Sequence, residues 1–131
     1  MTPKKMLLAE DDADDRQFFY DFLKHRSDLV LLPAVENGVA VFDYLERATK
    51  ANLPDVIILD QNMPRRNGLQ TLALLKESAA YAHIPVMVYS TYVDESLVQR
   101  STTLGATLVW VKPSDIEGYH KMIDQFFNTI P

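Results

Sequence analysis

The sequence predicts an α/β domain in which a five-stranded parallel sheet carries helices on both faces. Five short apolar segments alternate with five segments whose apolar residues recur at helical spacing, and the connections between them are short. The central apolar segment, residues 56–59, reads Val-Ile-Ile-Leu, which is typical of a strand buried on both faces. We therefore expect strict alternation of strand and helix, with right-handed crossovers between parallel strands.

The five strands are predicted from β-favouring apolar runs that end in polar or turn residues. The first run stops at a cluster of acids, the fourth stops at Ser90, and the fifth stops at Lys112. Pro33 interrupts the second run, and because proline has no N–H group to donate, this strand is expected at a sheet edge. The predicted strands are residues 5–9, 29–35, 56–59, 86–89 and 107–111.

The five helices are predicted from apolar residues three and four positions apart and from signals at their ends. Asp14 and Asp15 suit the positive end of the first helix. Asn37-Gly38 predicts a turn before the second helix, and Gly105 a left-handed cap after the fourth. The sequence Ser114–Glu117 has the spacing of a capping box and opens the last helix. The predicted helices are residues 13–26, 39–50, a segment from 69 that ends before 84, residues 94–104, and a segment from 116 onward.

Several apolar residues of these helices are expected to face the core. They include the phenylalanines of the first and last helices and the residues Val41, Phe42, Leu45, Leu97 and Val98. The helical spacing itself is carried by Leu23 in the first helix, by Leu69, Leu72, Ala73 and Leu75 in the third, and by Ile116, Tyr119, His120 and Ile123 in the last.

Composition narrows the class of protein. The 131 residues fit one domain, and 47% hydrophobic with 24% charged residues is typical of a globular chain. There is no cysteine, which excludes disulfides, thiolate metal sites and cysteine catalysis. A net charge of −5 argues against a nucleic-acid-binding surface. The amino terminus does not resemble a signal peptide and no apolar run is long enough to span a membrane, so we expect a cytoplasmic protein.

Reactive side chains are expected to meet at one edge of the sheet. The carboxyl ends of parallel strands share one edge, where open α/β folds bind ligands. Three carboxylates at short range repel one another, and a divalent cation would relieve that repulsion. Oxygen ligands without His or Cys favour Mg²⁺ or Mn²⁺. The residues that follow the strand ends are Glu10, Asp11, Asp60, Ser90, Thr91 and Lys112.

Asp60 is the candidate nucleophile of this group. It follows a buried strand and precedes a loop, residues 61–68, that is rich in turn-forming residues. Aspartyl carboxylates serve as phosphoryl nucleophiles, and phosphoryl transfer needs mainly positioning and charge neutralisation. Lys112 can neutralise one phosphoryl oxygen, and the Ser90 hydroxyl can donate a hydrogen bond to another. These residues therefore predict reversible formation of an acyl phosphate on Asp60.

A Rossmann half is the main alternative fold, but acids occupy the turn where a glycine-rich phosphate loop would lie.

Over nearly its whole length the chain resembles the receiver domains of two-component response regulators. The matching motifs, in order and at the family's spacing, are Leu7–Asp12, Leu59–Pro64, Asn67-Gly68, Tyr89–Thr91 and Val111–Pro113. The resemblance implies a flavodoxin-like (βα)5 fold and a function in phosphorelay signal transduction.

The resemblance also implies roles for individual residues. Asp60 would be the phosphoacceptor, Ser90 the switch hydroxyl and Lys112 the contact to the phosphoryl group. A cis peptide bond is implied between Lys112 and Pro113, while Pro64 and Gly68 would shape the loop over the site. The implied ligands of Mg²⁺ or Mn²⁺ are Glu10, which acts through water, Asp11, Asp60 and the backbone carbonyl of Asn62.

One position departs from the family pattern. Three residues before the lysine, receiver domains usually have a Tyr or Phe that moves inward with the hydroxyl residue, whereas this chain has Val109. Trp110 is one residue later, and because side chains alternate along a strand it should lie on the other face. Two hypotheses follow. The chain is either a response regulator that switches when phosphorylated, or a non-switching interaction module or phosphate sink.

An enzyme that forms an aspartyl phosphate is a further alternative. Phosphatases of the haloacid dehalogenase type carry a second Asp, two residues after the nucleophile, as a general acid. Here that residue is Asn62, which cannot transfer the proton, so we expect no turnover of an external substrate.

The resemblance implies protein partners. A sensor histidine kinase or a phosphotransfer protein would donate the phosphoryl group, and a downstream protein would bind the face formed by the fourth helix, fifth strand and fifth helix. Formation of a homodimer is a further possibility. We expect residues 1–131 to form a single receiver domain without an output domain. Tyr92, two residues after Ser90, is hypothesised to shield the acyl phosphate from water.

Overall fold

Five parallel strands form one sheet in the computed structural model, which describes residues 2–130. The strands are β1 (Lys4–Ala9), β2 (Leu29–Leu31), β3 (Val56–Asp60), β4 (Val86–Ser90) and β5 (Leu108–Val111). Their order in the sheet is β2-β1-β3-β4-β5, which confirms the doubly wound α/β prediction and the edge position of the second strand.

Five helices follow the strands in strict alternation. They are α1 (Ala13–Leu23), α2 (Gly38–Arg47), α3 (Gly68–Glu77), α4 (Glu95–Thr103) and α5 (Ile116–Asn128), and a short 3₁₀ turn, Lys50–Asn52, follows α2. Within residues 2–130, no helix has both the length and the apolar composition needed to cross a membrane.

Two apolar clusters, one on each face of the sheet, form the core. The first, which we call the α1/α5 cluster, joins side chains of the sheet to Phe19 and Leu23 of α1 and to Met122 and Phe126 of α5. The second, the α2–α4 cluster, joins the other face of the sheet to α2, α3 and α4. Because alternate residues of β1, β3 and β4 contribute to opposite clusters, each of these strands has a continuous apolar segment, residues 6–9, 56–59 and 86–89, as the run at 56–59 predicted.

The second strand and the second helix differ from their predicted bounds. β2 ends at Leu31, before Pro33, and pairing resumes only as an isolated bridge between Val35 and Ala9. The predicted strand 29–35 was therefore too long, because proline interrupts the ladder. Asn37 is the N-cap of α2, its side chain accepting a hydrogen bond from Ala40 N–H, and Gly38 is the first helical residue. The Asn-Gly pair thus begins a helix directly.

The first and last helices also differ from prediction at their ends. α1 ends at Leu23 and not at residue 26, and the guanidinium of Arg26 instead binds Asp28 at 2.8 Å and Asp124 of α5 at 2.7 Å. α5 is capped by Asp115, whose carboxylate accepts from Gly118 N–H at 2.7 Å. The predicted cap at Ser114 was wrong, because the helix begins one residue later than a capping box from Ser114 requires.

Two residues predicted in the core, and one residue of the periodic pattern in the last helix, are exposed. Phe18 is 47% exposed, Val98 42% and Ile116 51%. Successive side chains of a helix are rotated by about 100° around its axis. Phe18 and Val98 each adjoin a buried residue and therefore point toward solvent, and Ile116 lies at the turn where α5 begins. The implied cis bond before Pro113 is also absent: every peptide bond in residues 2–130 is trans, the lower-energy isomer even before proline. Gly105 has φ 105°, so the left-handed cap after α4 is confirmed.

Gly38 allows α2 to approach α3 closely, and Gly38→Ala is expected to destabilise the fold. A Cβ at this position would overlap Thr71 Oγ1 and lie 2.7 Å from the backbone oxygen of Arg66. Thr71 Oγ1 cannot easily turn away, since it donates to the Asn67 carbonyl at 2.7 Å. We expect the free energy of unfolding to fall by about 2 kcal/mol, as in other overpacked cores, measured by urea denaturation.

Thr71→Ala supplies the control for Gly38→Ala, because it removes the closest of these contacts. In the Thr71→Ala background, the loss caused by Gly38→Ala should be smaller than in the wild type. An equal loss in both backgrounds would show that this overlap is not the cause.

Candidate functional site

Alternation along the strands brings the polar residues at the strand ends to one face of the sheet edge. Leu8, Ile58, Met87 and Trp110 belong to the α1/α5 cluster or pack against it. Two residues further along the same strands lie Glu10, Asp60, Tyr89 and Lys112, so these side chains emerge on that same face. In the register between β3 and β4, Asp60 is paired with Tyr89.

Three acids form a group at this edge. One carboxylate oxygen from each of Glu10, Asp11 and Asp60 lies within 4.8 Å of the other two. Glu10 is 0% exposed and Asp60 is 1% exposed, whereas Asp11 is open to solvent. Two buried carboxylates and one accessible carboxylate form an oxygen-only donor set that fits a divalent cation with solvent access.

Lys112 binds all three carboxylates that surround it. Its Nζ lies 2.9 Å from Glu10 Oε1, 3.0 Å from Asp15 Oδ2 and 3.3 Å from Asp60 Oδ2. Burial alone would lower the pKa of Lys112, but the hydrogen bonds with Glu10 and Asp15 outweigh burial and raise that pKa above its usual value. Lys112 is therefore protonated and contributes a positive charge to the site.

The surroundings of Asp60 favour the protonated form of its carboxyl group. Burial and the neighbouring Glu10 carboxylate raise the pKa of Asp60 to about 8. The hydrogen bond from Asn62 N–H to Asp60 Oδ1, at 3.1 Å, and the charge of Lys112 oppose that rise without cancelling it. An additional positive charge near Glu10 and Asp11 would favour the ionised carboxylate.

Asn62 links Ser90 to Asp60 through its backbone N–H and its side-chain amide. Ser90 is buried at the end of β4, and Asn62 Nδ2 donates to its Oγ at 3.4 Å. The Ser90 carbonyl accepts from Lys112 N–H at 2.9 Å, which joins the ends of β4 and β5. The Ser90 hydroxyl is therefore connected to the Asp60 carboxylate through Asn62.

The loop between β3 and α3 is shaped by its backbone. Arg65 has a positive φ of 65°, which is uncommon for a residue other than glycine. A Cβ at Gly68 would lie 2.8 Å from the Asp60 carbonyl oxygen, so only glycine permits this close approach. Asn67 caps α3 through a capping box with Gln70. The loop that follows Asp60 is thus fixed at both ends.

Three contacts at the site involve residues to which the sequence assigned no role there. The Tyr89 hydroxyl donates to Glu10 Oε1 at 2.5 Å. Asp15, assigned above only to the helix end, binds Lys112. Arg16 Nη1 donates to the backbone carbonyls of Glu10 and Asp11, at 2.9 and 3.0 Å, and so holds the acidic loop. Strand parity could have indicated Tyr89, because residue 89 shares the face of residue 60.

The position that departs from the receiver pattern lies as predicted. Val109 packs against the α2–α4 cluster, while Trp110 packs against the α1/α5 cluster on the opposite face. The bulky ring therefore does not take the place of the missing aromatic residue. Tyr92 is 73% exposed, so its ring stands in solvent.

A family model for the response regulator receiver domain matches residues 6–124. The chain belongs to this family. It is therefore a receiver domain of phosphorelay signalling, and receiver domains in general act as signalling domains that histidine kinases phosphorylate and that contact downstream proteins.

Two curated relatives illustrate the similarity. The response regulator Rcp1 of Synechocystis is 28% identical over 124 residues, which cover 92% of this chain and 84% of Rcp1. The transcriptional regulatory protein PdtaR of Mycobacterium tuberculosis is 29% identical over 115 residues, or 88% of this chain. The chain spans about half of PdtaR, 52% of its length.

Solved structures of receiver proteins superpose on this fold. The Mn²⁺-bound form of Rcp1 matches with a TM-score of 0.78 at 28% identity, covering 94% of this chain and 91% of that one. The phosphorylated cyanobacterial phytochrome response regulator RcpA matches with a TM-score of 0.80 at 26% identity, covering 95% and 91%. One similar protein thus binds a divalent metal ion, and another carries a phosphoryl group.

Proposed function

We propose that Asp60 accepts a phosphoryl group from a phosphohistidine of a sensor histidine kinase or a phosphotransfer protein. The observation that carries this proposal is the burial of Asp60 between an acidic pair, Glu10 and Asp11, and the ammonium group of Lys112. A surface carboxylate would have no need of such surroundings. A group whose negative charge changes during a reaction does need them.

The protein contributes to the chemistry through the groups at this sheet edge. An Asp60 carboxylate oxygen forms a bond to phosphorus while the phosphorus–nitrogen bond of the phosphohistidine breaks. The electron pair of that bond stays on the imidazole nitrogen, which takes a proton from water. Lys112 Nζ, 3.3 Å from Asp60 Oδ2, then neutralises a phosphoryl oxygen, and Ser90 Oγ donates to another.

Glu10, Asp11, Asp60 and the backbone carbonyl of Asn62 are the proposed ligands of a divalent cation, Mg²⁺ or Mn²⁺. The absence of nitrogen or sulfur donors from the acid group supports hard cations of this kind. When bound, such an ion neutralises carboxylate and phosphoryl oxygens. Arg16 holds the carbonyls of Glu10 and Asp11 and so keeps the acidic loop in place.

The signal is proposed to leave through a protein contact. Val98 of α4, Val111 of β5 and Ile116 of α5 are 42–51% exposed, which gives the α4–β5–α5 face unpartnered apolar area. A downstream protein or a second copy of the chain would cover it. In the alternative proposal, which is based on Val109, the effect of phosphorylation stays local to the site and the α4–β5–α5 face does not change.

Acetyl phosphate labelling, followed by gel mobility or mass, tests the acceptor. The wild type should gain one phosphoryl group in the presence of Mg²⁺, and Asp60→Asn should gain none. Asp43→Asn makes the same chemical change at an exposed position of α2 and should label like the wild type. Labelling of Asp60→Asn at the wild-type rate, or labelling of the wild type independent of divalent cations, would contradict the proposal.

Binding of beryllofluoride, a mimic of the acyl phosphate, distinguishes a receiver domain that switches from one that does not. Amide shifts that spread from the site to Val109 and α5 support a conformational switch. Shifts confined to the loops around Asp60 and Ser90 support the non-switching module or phosphate sink. Turnover of a phosphate monoester would instead require a general acid, and Asn62 cannot supply one, so we expect none.

A further inference from the structure

We propose that Tyr89 is a positioning residue that holds Glu10 in place and allows Lys112 to leave Glu10 for the phosphoryl group. This inference rests on the proposed function of Asp60 and Lys112. It concerns a phenol that belongs neither to the acidic group nor to the proposed phosphoryl contacts.

Tyr89 is rigidly held inside the protein. Its side chain is 0% exposed, and its ring packs edge-on against Phe19, with the ring centroids 6.4 Å apart. The paired strand β3 fixes its backbone opposite Asp60. The position of the hydroxyl is therefore set by the core, and the hydroxyl donates to Glu10 Oε1 at 2.5 Å.

Two donors share the same oxygen of Glu10. Lys112 Nζ lies 2.9 Å from Glu10 Oε1, the oxygen that also accepts from Tyr89. The other oxygen, Oε2, accepts from Asp12 N–H at the longer distance of 3.2 Å. Tyr89 and Lys112 thus hold one side of the carboxylate, and Oε2 remains the oxygen with more freedom to bind a cation or its water.

Lys112 is the member of this pair that has other partners at the site. Besides Glu10, it binds Asp15 and Asp60, and it lies 5.1 Å from the centre of the Tyr89 ring. When Lys112 turns toward a phosphoryl group on Asp60, Glu10 Oε1 loses one donor. Bulk solvent does not reach Oε1 to replace that donor, since the Glu10 side chain is 0% exposed. The Tyr89 hydroxyl leaves this oxygen with a donor in both states, which keeps the carboxylate oriented.

Tyr89→Phe removes this hydroxyl and leaves the ring. We expect Mg²⁺ binding, measured by calorimetry, to weaken by about 10-fold or more, the effect typical of groups that orient a metal ligand. Beryllofluoride binding at saturating Mg²⁺ should weaken as well. Tyr119→Phe is the matched control: its ring is buried in the same α1/α5 cluster, and its hydroxyl makes no hydrogen bond to the acids within residues 2–130. This control should bind Mg²⁺ within about 2-fold of the wild type.

The binding measurements distinguish failure of this inference from failure of the proposed function. If Tyr89→Phe changes only the free energy of unfolding and binds Mg²⁺ as the wild type does, Tyr89 is a packing residue and the inference is wrong. If both Phe variants weaken binding equally, the effect is not specific to Glu10 and the inference is again wrong. If the wild type itself binds neither Mg²⁺ nor beryllofluoride, the proposed function fails, and this inference fails with it.

A measurement on the wild type does not depend on the folding of any variant. A buried phenol hydrogen-bonded this closely to a carboxylate should give a downfield, slowly exchanging hydroxyl proton in the NMR spectrum. We expect this resonance with and without beryllofluoride. Its disappearance on beryllofluoride binding would show that Tyr89 does not hold Glu10 in the phosphorylated state.

Discussion

Asp60→Asn is expected to raise the free energy of unfolding of the metal-free protein by an amount that grows with pH. The pKa of Asp60 is raised to about 8 in the fold by burial and by Glu10, against about 3.9 in an unfolded chain. Between these two values the folded protein holds a proton that the unfolded chain has released. Stability of the wild type therefore falls as pH rises from about 4 to about 8, and an amide at this position removes that loss.

The expected gain is close to zero at pH 4 and on the order of 3 kcal/mol at pH 8. Each pKa unit corresponds to about 1.4 kcal/mol, but the amide also gives up its attraction to Lys112, which offsets part of the gain. Urea denaturation of both proteins in chelator, at several pH values, measures the difference. Asp43→Asn, at an exposed position, should show no comparable pH dependence.

Mg²⁺ should narrow the gap between the two proteins. A ligand that binds the folded state stabilises it more the more tightly it binds, and the variant has lost one of the proposed carboxylate ligands. A variant that is less stable than the wild type throughout this pH range would overturn the view that Asp60 is a destabilising group in the absence of a cation.

The sheet and the set of polar residues at its carboxyl edge were predictable because they depend on periodic patterns. The apolar run at 56–59 can be buried on both faces only in a parallel sheet that carries helices on each side. Once the sheet is parallel, the residues after the strand ends must share an edge, however far apart they lie in the chain. The same alternation correctly assigned Val109 and Trp110 to opposite faces. These conclusions needed no knowledge of side-chain contacts.

The contacts within the site could not be predicted because each side chain had a simpler explanation. Tyr89, inside an apolar strand, reads as an ordinary core aromatic, and only the position of Glu10 shows that its hydroxyl has a partner. Asp15 is explained by the helix dipole until Lys112 is seen 3.0 Å away. The exposed Val98 shows the same limit, because spacing indicates a helical face but not how wide a stripe the neighbouring elements cover.

Lys112→Met is expected to destabilise the metal-free protein more than any other single change at the site. It removes the ammonium group that lies within 3.3 Å of Glu10, Asp15 and Asp60. Glu10 is completely buried, so water cannot solvate its carboxylate in place of the ammonium group. Removing one partner of a buried ion pair costs about 3–5 kcal/mol, and we expect a loss of about 3 kcal/mol at pH 7, measured by urea denaturation in chelator.

The cause of this loss can be tested by replacing the missing charge. Mg²⁺ at the acidic group should stabilise Lys112→Met by more than it stabilises the wild type, because the cation would then neutralise carboxylates that have no other positive partner. Lys121→Met, an exposed lysine of α5, provides the matched control and should change neither stability nor the response to Mg²⁺. If Lys112→Met is destabilised but gains no more from Mg²⁺ than the wild type, the lysine contributes through the packing of its alkyl chain, and the electrostatic account of the site is wrong.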